Sequence, residues 1–490
     1  MRSVHAVTTD TIDASHPFTP RAIVALVIIV VTGAALRLHG LAAESAWLDE
    51  AFAIGIARAG LGDVLYETQL DVHPPLYYFL LAGWTMLTDG SVWSARLLSV
   101  ALSLGILVAT HVVGTRLAGR ATGLTAAALL AVSVFHIEFA QEARMYAQLT
   151  LLATLSTLGF IRMVETSARR WFLFYVVMTS LMAYTHVYAA FIIGAQALTV
   201  LADVAWRRAA AVDMLGRFIA AQALVFAAFL PWLPVFTWQV SLVQTSFWIA
   251  TPEPMGLLDA FHTYTGSDDL LRLLLPVMAW GAYRLVRRPV TPAPPRPALV
   301  FLLPWLAGPI VFPFVLSFVS SPIFLPKYTI AASVPFAILA AAGIVGLPFR
   351  VVRAAALATC VTLSARALPA YYDVQAKDGW AEATPIVEAL AGPDDAVVLY
   401  PYFNKIAFDF YRERDDLQVR PFPLFTAPPP DDGWPVTFER ATAGRDRIWF
   451  VTLAADPTAQ VALEQLRVGF DLTSHEVRQK VAIYRFDRRR

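Results

Sequence analysis

The stretch AIVALVIIVVTGAALRLHGLAAESAWLDEAF, residues 22–52, decides the architecture. Residues 22–39 are apolar for long enough to cross a bilayer. The chain then passes within a few residues to Trp47, a membrane-interface type of side chain, and to two adjacent carboxylates, Asp49 and Glu50. A membrane helix that opens onto a pair of acids asks what those acids face.

The rest of the chain shares this hydrocarbon character. Of 490 residues, 57% are hydrophobic and 15% charged, and the mean hydropathy is +0.57. No soluble core of that size hides so much apolar side chain, so the composition predicts a polytopic α-helical membrane protein. A net charge of +1 argues against nucleic acid, which calls for a concentrated basic face. The sole cysteine, Cys360, lies in an apolar run, which excludes a disulfide framework and a thiolate metal site. The first 20 residues lack the order of a cleavable signal, so the span that follows reads as a retained signal anchor.

Apolar length predicts about eleven membrane helices, near 22–39, 92–115, 121–138, 147–163, 171–187, 189–205, 217–236, 270–286, 298–319, 329–348 and 351–369. With the N-terminus in the cytoplasm, most loop arginines fall on the inner side, among them Arg116, Arg120, Arg169, Arg170, Arg207, Arg208, Arg287 and Arg288. The outer side keeps Arg58, Arg96, Arg144, Arg272 and Lys327. RRPVTPAPPRP, 287–297, is a Pro-rich inner connector. An odd helix count sends the C-terminus outside. There, residues 371–490 read as a small α/β domain: WAEATPIVEAL a helix, DDAVVLYP a buried strand, FNKIAFDFYRER a helix, DRIWFVTLAA a strand, AQVALEQLRVGF a helix and HEVRQKVAIYRF a hairpin strand. No glycine-rich phosphate loop precedes any of these helices, which removes a nucleotide from consideration.

The same topology makes 40–91 an outer loop within a membrane domain of 1–370. Its segments EAFAIGIARAGLGDVLYE and LYYFLLAGWTML suit helices lying along the interface, a platform over the bundle. Acids in the first turn of such a helix can simply complement its dipole, worth ~0.3–1 kcal/mol. Other ionisable groups, however, share the outer face, in DVHPPLYY (71–78), FHIEFAQEARMYAQ (135–148), AYTHVYAAF (183–191) and IFLPKYTI (323–330). Ionisable groups at membrane depth need a cavity or partners, so their convergence marks a site.

Taken in order, W-L-D-E after the first span, H-P-P-L-Y-Y after the loop, Q-E-A-R-M-Y, and L-P-K-Y-T-I before a late span with Pro335 resemble the GT-C glycosyltransferases. The resemblance is to bacterial relatives of dolichyl-phosphate-mannose protein mannosyltransferases and of the aminoarabinose transferases that modify lipid A. It implies a GT-C fold and transfer of one sugar, with inversion, from a polyprenyl-phosphate donor to a hydroxyl on a lipid, glycan or protein at the outer face of a bacterial plasma membrane. Such chemistry needs a base for the incoming hydroxyl and cations for the departing phosphate. Asp49 matches the family's base. Glu50 beside it supplies a like charge that would favour proton capture, and the spacing alone does not say which acid faces substrate.

For the donor phosphate the resemblance points to His73, Arg144, Lys327 and Tyr328. His73 stands where the aminoarabinose transferases carry Lys-Pro, so a permanent charge is replaced by a pH-dependent one, and a His hydrogen-bonded within the loop is the competing reading. Lys327 is the only lysine before residue 377; its competing reading is a snorkelling helix-end residue. Glu142, near the family's second acid, and Tyr77 are candidates for acceptor or sugar, although Glu142 and Arg144 also suit a simple ion pair. His186 and His262 read as structural. No cofactor is called for beyond the lipid-linked substrate; no metal ligands are assigned, and the divalent ion used by some members of the family stays open. A transporter or flippase is the alternative class, but Pro231, Pro234, Pro304, Pro309 and Pro313 interrupt only late spans, without matching breaks in the first half.

Overall fold

The computed structural model describes residues 12–13, 16–166, 168–208, 212–245, 249–287, 290–291, 296–373, 377–422 and 441–490. Much of the connector 287–297 therefore lies outside the described residues. Two compact units emerge. One comprises 1–39, 65–80 and 96–371; the other comprises 40–64, 81–95 and 372–490.

The first described helix is α1 (Pro20–Leu38), whose Thr19 hydroxyl caps the first turn and whose Pro20 occupies a position where the missing N–H is no loss. Segment 40–91 holds α2 (Leu48–Ala59), α3 (Leu61–Leu70) and α4 (Leu76–Thr85), each too short to cross a bilayer. Then follow α5 (Val92–Ala118), α6 (Arg120–Ala131), α7 (Val134–Glu138), α8 (Tyr146–Glu165), α9 (Arg169–Ala183) and α10 (Ala189–Arg207). The second half of the bundle is α11 (Val212–Phe229), α12 (Leu233–Thr245), α13 (Gly256–Thr265), α14 (Asp268–Arg287), α15 (Ala298–Val319), α16 (Ser333–Val345) and α17 (Arg350–Asp373).

Among the described residues, eight helical stretches are long and apolar enough to span a membrane, against about eleven expected. The other three expected spans are helical too but fall outside that measure of length and composition. The apolar run at 121–138 breaks after Ala131, where Ser133 caps the separate helix α7. Helix α9 has only 15 residues. Helix α14 is long enough but carries Asp268, Asp269, Arg272, Arg284 and Arg287 at its ends. The prolines act unevenly: Pro231 opens a 3-10 turn between α11 and α12, whereas α15 runs through Pro304, Pro309 and Pro313, with the Ser317 hydroxyl donating to the Pro313 carbonyl.

Small residues set a close helix crossing. Helices α14 and α16 approach at Gly281 and Gly343, where a Cβ on Gly343 would overlap the Val277 carbonyl. Helix α1 is tied in at its end by Arg37, 0% exposed, whose guanidinium donates to Ser103 Oγ at 2.8 Å and to the carbonyls of Gly33, Leu130 and Ala131 at 3.1, 3.1 and 2.9 Å. The last two are carbonyls at the C-terminal end of α6, left without helical partners.

The second unit is an α/β layer with helices α18 (Trp380–Leu390), α19 (Asn404–Tyr411) and α20 (Ala459–Gly469). Its strands are β1 (Ala396–Leu399), β2 (Gln418–Pro421), β3 (Arg447–Leu453), β4 (Phe470–Arg478) and β5 (Val481–Arg488), in the order β2-β1-β3-β5-β4. The first two pairings are parallel and the last two antiparallel. Strand β1 is apolar throughout because both faces are covered: Val397 and Leu399 pack with Trp380 and Phe408, Ala396 and Val398 with Ala462 and Leu466.

Candidate functional site

In the first unit, the site begins at the connection between α3 and α4. Pro74 and Pro75 keep the chain from continuing a helix through His73, and α4 starts only at Leu76, whose N–H donates to the Tyr184 carbonyl at 3.0 Å. Gln239 fixes this corner by donating to the carbonyls of Thr68 and Asp71 at 2.9 and 2.7 Å. One turn into α4, the Tyr78 hydroxyl donates to Asp71 Oδ2 at 3.1 Å and accepts from Arg144 Nη1 at 3.1 Å. Asp71, Tyr78 and Arg144 thus form a chain of polar contacts. Burial pushes the Asp71 carboxyl up, and the Arg144 charge pulls it back down.

Arg144 comes from a non-helical connection before α8. That connection is pinned by Gln141, whose amide N–H groups donate to the carbonyls of Arg37 and His39 at 2.9 and 2.7 Å and whose carbonyl accepts from Tyr371 at 2.8 Å. The irregular backbone around 139–145 thereby finds partners and can present Arg144 and Glu142, both buried.

His73 is buried beside His186, with ring centres 5.1 Å apart. Burial, then the positive charges of Arg144 and Lys327, hold the His73 imidazole well below its ordinary value, so it is a neutral ring. His186 Nδ1 accepts from the Tyr188 N–H at 3.1 Å, which leaves its neutral-ring proton on Nε2. Among the described residues, neither His186 Nε2 nor His73 Nδ1 has a hydrogen-bond partner. Tyr328 closes the cluster, its ring 5.1 Å from His186, 5.4 Å from Tyr188 and 6.1 Å from Tyr146. The Lys327 ammonium sits over the Tyr146 and Tyr328 rings at 5.8 and 5.7 Å.

This cluster opens on a cavity of about 240 Å³. His73, His186, Tyr188 and Tyr328 line one part of it; Phe191, Phe236, Val240, Val243 and Leu316 are among the apolar residues of the remaining wall, which also includes Gln239, Gln244, Ser320 and Ser321. The arrangement suits an amphiphile with an anionic head and a hydrocarbon tail.

Four of the residues expected around the phosphate, His73, Arg144, Lys327 and Tyr328, therefore belong to one neighbourhood. Tyr77 is buried with its hydroxyl 3.1 Å from Ser99 Oγ. His186, expected to be structural, lines the cavity. Asp71, Tyr78, Tyr146 and Tyr188 lie within the stretches 71–78, 135–148 and 183–191 that the sequence marks out, but no local pattern singles them out there as members of the site.

Asp49 and Glu50 belong to the second unit, in the first turn of α2. Glu50 is 0% exposed and paired with Lys377 Nζ at 3.0 Å. Its negative charge is thus matched by a cation instead of standing as a bare like charge beside Asp49. Asp49 is half-buried, and its charge reaches Asp378, whose carboxyl is raised chiefly by burial, with Lys480 opposing and Asp49 adding to the rise. Among the described residues, no three or more His, Cys, Asp or Glu side chains form a group able to hold a metal ion.

Residues 72–235 match the family profile described as dolichyl-phosphate-mannose-protein mannosyltransferase. No curated protein sequence matches the chain. The structure is similar to ArnT from Cupriavidus metallidurans in the apo state, with a TM-score of 0.64 and 12% identity over 95% of this chain and 98% of that one. ArnT bound to undecaprenyl phosphate gives 0.62 at the same identity and coverage. The archaeal oligosaccharyltransferase AglB from Archaeoglobus fulgidus, in complex with an inhibitory peptide and a dolichol-phosphate, gives 0.58 and 10% identity over 94% of this chain and 74% of that one. The order of the helices, the small C-terminal sheet domain and these similarities together establish that the chain is a membrane protein of the GT-C fold.

Proposed function

We propose that the protein is a glycosyltransferase that takes one sugar from a polyprenyl-phosphate carrier and passes it to an alcohol. The observation that carries this reading is a largely apolar cavity lined in one part by His73, His186, Tyr188 and Tyr328, with the Lys327 ammonium over the Tyr328 ring and the charges of Arg144 and Lys327 acting on His73. A lipid phosphate supplies both halves of the matching ligand. The ArnT structure with undecaprenyl phosphate and the AglB structure with a dolichol-phosphate support the same ligand class here.

In this reading Asp49 removes the proton from the acceptor hydroxyl while its oxygen attacks the anomeric carbon. The bond from that carbon to the carrier phosphate breaks, and the electron pair leaves with the phosphate. Lys327 and Arg144 stabilise the charge that develops, and His73 and His186 donate N–H groups to it. Attack opposite the leaving group inverts the anomeric centre. Tyr77 and Glu142 remain candidates for sugar or acceptor contacts. We assign the transfer of a hexose or pentose to a lipid, glycan or protein acceptor on the extracytoplasmic side of a bacterial plasma membrane, with the N-terminus cytoplasmic, 1–370 as the membrane domain and 371–490 as the external domain.

The test uses purified protein in detergent with sugar-loaded polyprenyl phosphate. Release of free polyprenyl phosphate that depends on an added alcohol acceptor supports a transferase. Carrier translocation in liposomes without any release would identify a flippase instead.

A further inference from the structure

The first turn of α2 is held by the C-terminal part of its own unit. Lys377 Nζ lies 3.0 Å from Glu50 Oε2, and the Lys377 backbone N–H donates to Glu44 Oε1 at 3.1 Å. The Ser45 hydroxyl donates to Glu382 Oε2 at 2.9 Å and accepts from the Ala381 N–H at 3.4 Å. The Ala46 N–H donates to the Tyr411 hydroxyl at 2.6 Å, and Ala51 packs with Trp380 and Phe408. Residues 44–51 are thus gripped along their length by residues that follow the last membrane helix.

Successive helical residues point ~100° apart, so a Glu50 side chain turned fully inward directs its neighbour Asp49 away from that interior. An inward carboxylate holds only if its charge is matched; left alone it would turn to water or take up a proton. Lys377 supplies that match from 327 residues further along the chain. We propose that Lys377 is a positioning residue for sugar transfer: its ion pair with buried Glu50 fixes the first turn of α2 so that Asp49 is the acid presented to the acceptor hydroxyl. The C-terminal domain then serves the reaction by holding the base. This inference rests on the reading of Asp49 as that base.

The experiment measures kcat and KM for the sugar-loaded carrier with the full chain in detergent, with thermal unfolding in parallel. Lys377→Met is expected to lower kcat by ~100-fold, the scale of a misplaced reacting group, while KM for the carrier stays within about twofold. Lys377→Arg, which keeps the pair, should retain most of the rate. The exchanged variant Glu50→Lys with Lys377→Glu should regain at least ~10-fold over Lys377→Met. Wild-type kcat in folded Lys377→Met overturns the proposal. If Lys377→Met does not fold, the exchanged variant decides: turnover supports the proposal, and a folded protein no more active than Asp49→Asn overturns it. Asp49→Asn tells the two failures apart. Full activity in that variant removes the reading of the base itself, whereas inactivity there with full activity in Lys377→Met removes only the role of Lys377.

Discussion

The rings of His73 and His186 lie 5.1 Å apart at 34° to one another, two buried imidazoles brought together from α4's entry and the α9–α10 connection. Because the folded His73 resists protonation while an unfolded one takes up a proton near pH 6.5, its contribution is present in full above that pH and lost as the pH falls below it. The loss amounts to about 1.4 kcal/mol per pH unit until the folded ring itself titrates. Unfolding midpoints measured from pH 5 to 7.5 should therefore fall on acidification, and His73→Gln should flatten the slope; an unchanged slope would remove His73 as its source.

Asp49→Asn should abolish turnover while leaving carrier binding and the unfolding midpoint near wild type, because the amide keeps the shape of the acid and loses only its proton affinity. Binding of radiolabelled carrier alongside single-turnover kinetics separates the two quantities.

Lys327→Ala should act mainly on the carrier. Removing one charged contact to a phosphate is worth about 1.5–3 kcal/mol, so carrier affinity should fall by ~10- to 100-fold. Isothermal titration with unloaded polyprenyl phosphate reads this directly, and wild-type affinity would return Lys327 to a helix-end role.

Tyr78→Phe removes the hydroxyl that joins Asp71 to Arg144. A buried partner left without its hydrogen bond costs about 1–3 kcal/mol, so the unfolding midpoint should drop and carrier KM should rise. Asp71→Asn, which keeps a hydrogen-bond acceptor, should be milder; equal losses in both would argue against the chain of contacts.

A bulky side chain should discriminate by tail length. Ala190→Trp fills part of the cavity wall between α10 and its neighbours. It should raise KM for a long-chain carrier and spare a carrier shortened to two isoprene units; an equal effect on both would place the tail elsewhere.

Much of this molecule is written locally. The helix expected from WAEATPIVEAL is α18 to the residue, and the buried strand in DDAVVLYP is β1, because amphipathic period and apolar run length are local properties. Lys327 and Tyr328 stood out as a lone lysine beside an aromatic ring, and they do join His73 and Arg144. Span length misled at 121–138, where apolar composition continues across a break that only the Ser133 cap reveals. His186 and the Glu50–Lys377 pair were illegible for another reason: their partners are remote in sequence, and nothing near either residue announces them.

Arg37 has a consequence for biogenesis. Only 22% of the α1 window is buried, yet the helix ends in a guanidinium whose acceptors include Leu130 and Ala131. A chain made from its N-terminus delivers that charge to the translocon some ninety residues before those carbonyls exist, at a penalty of up to ~2.5–3.5 kcal/mol if it sits deep. Helix α1 must first float with its arginine reaching toward headgroups, and it is locked only when α6 emerges and its terminal carbonyls close around the charge.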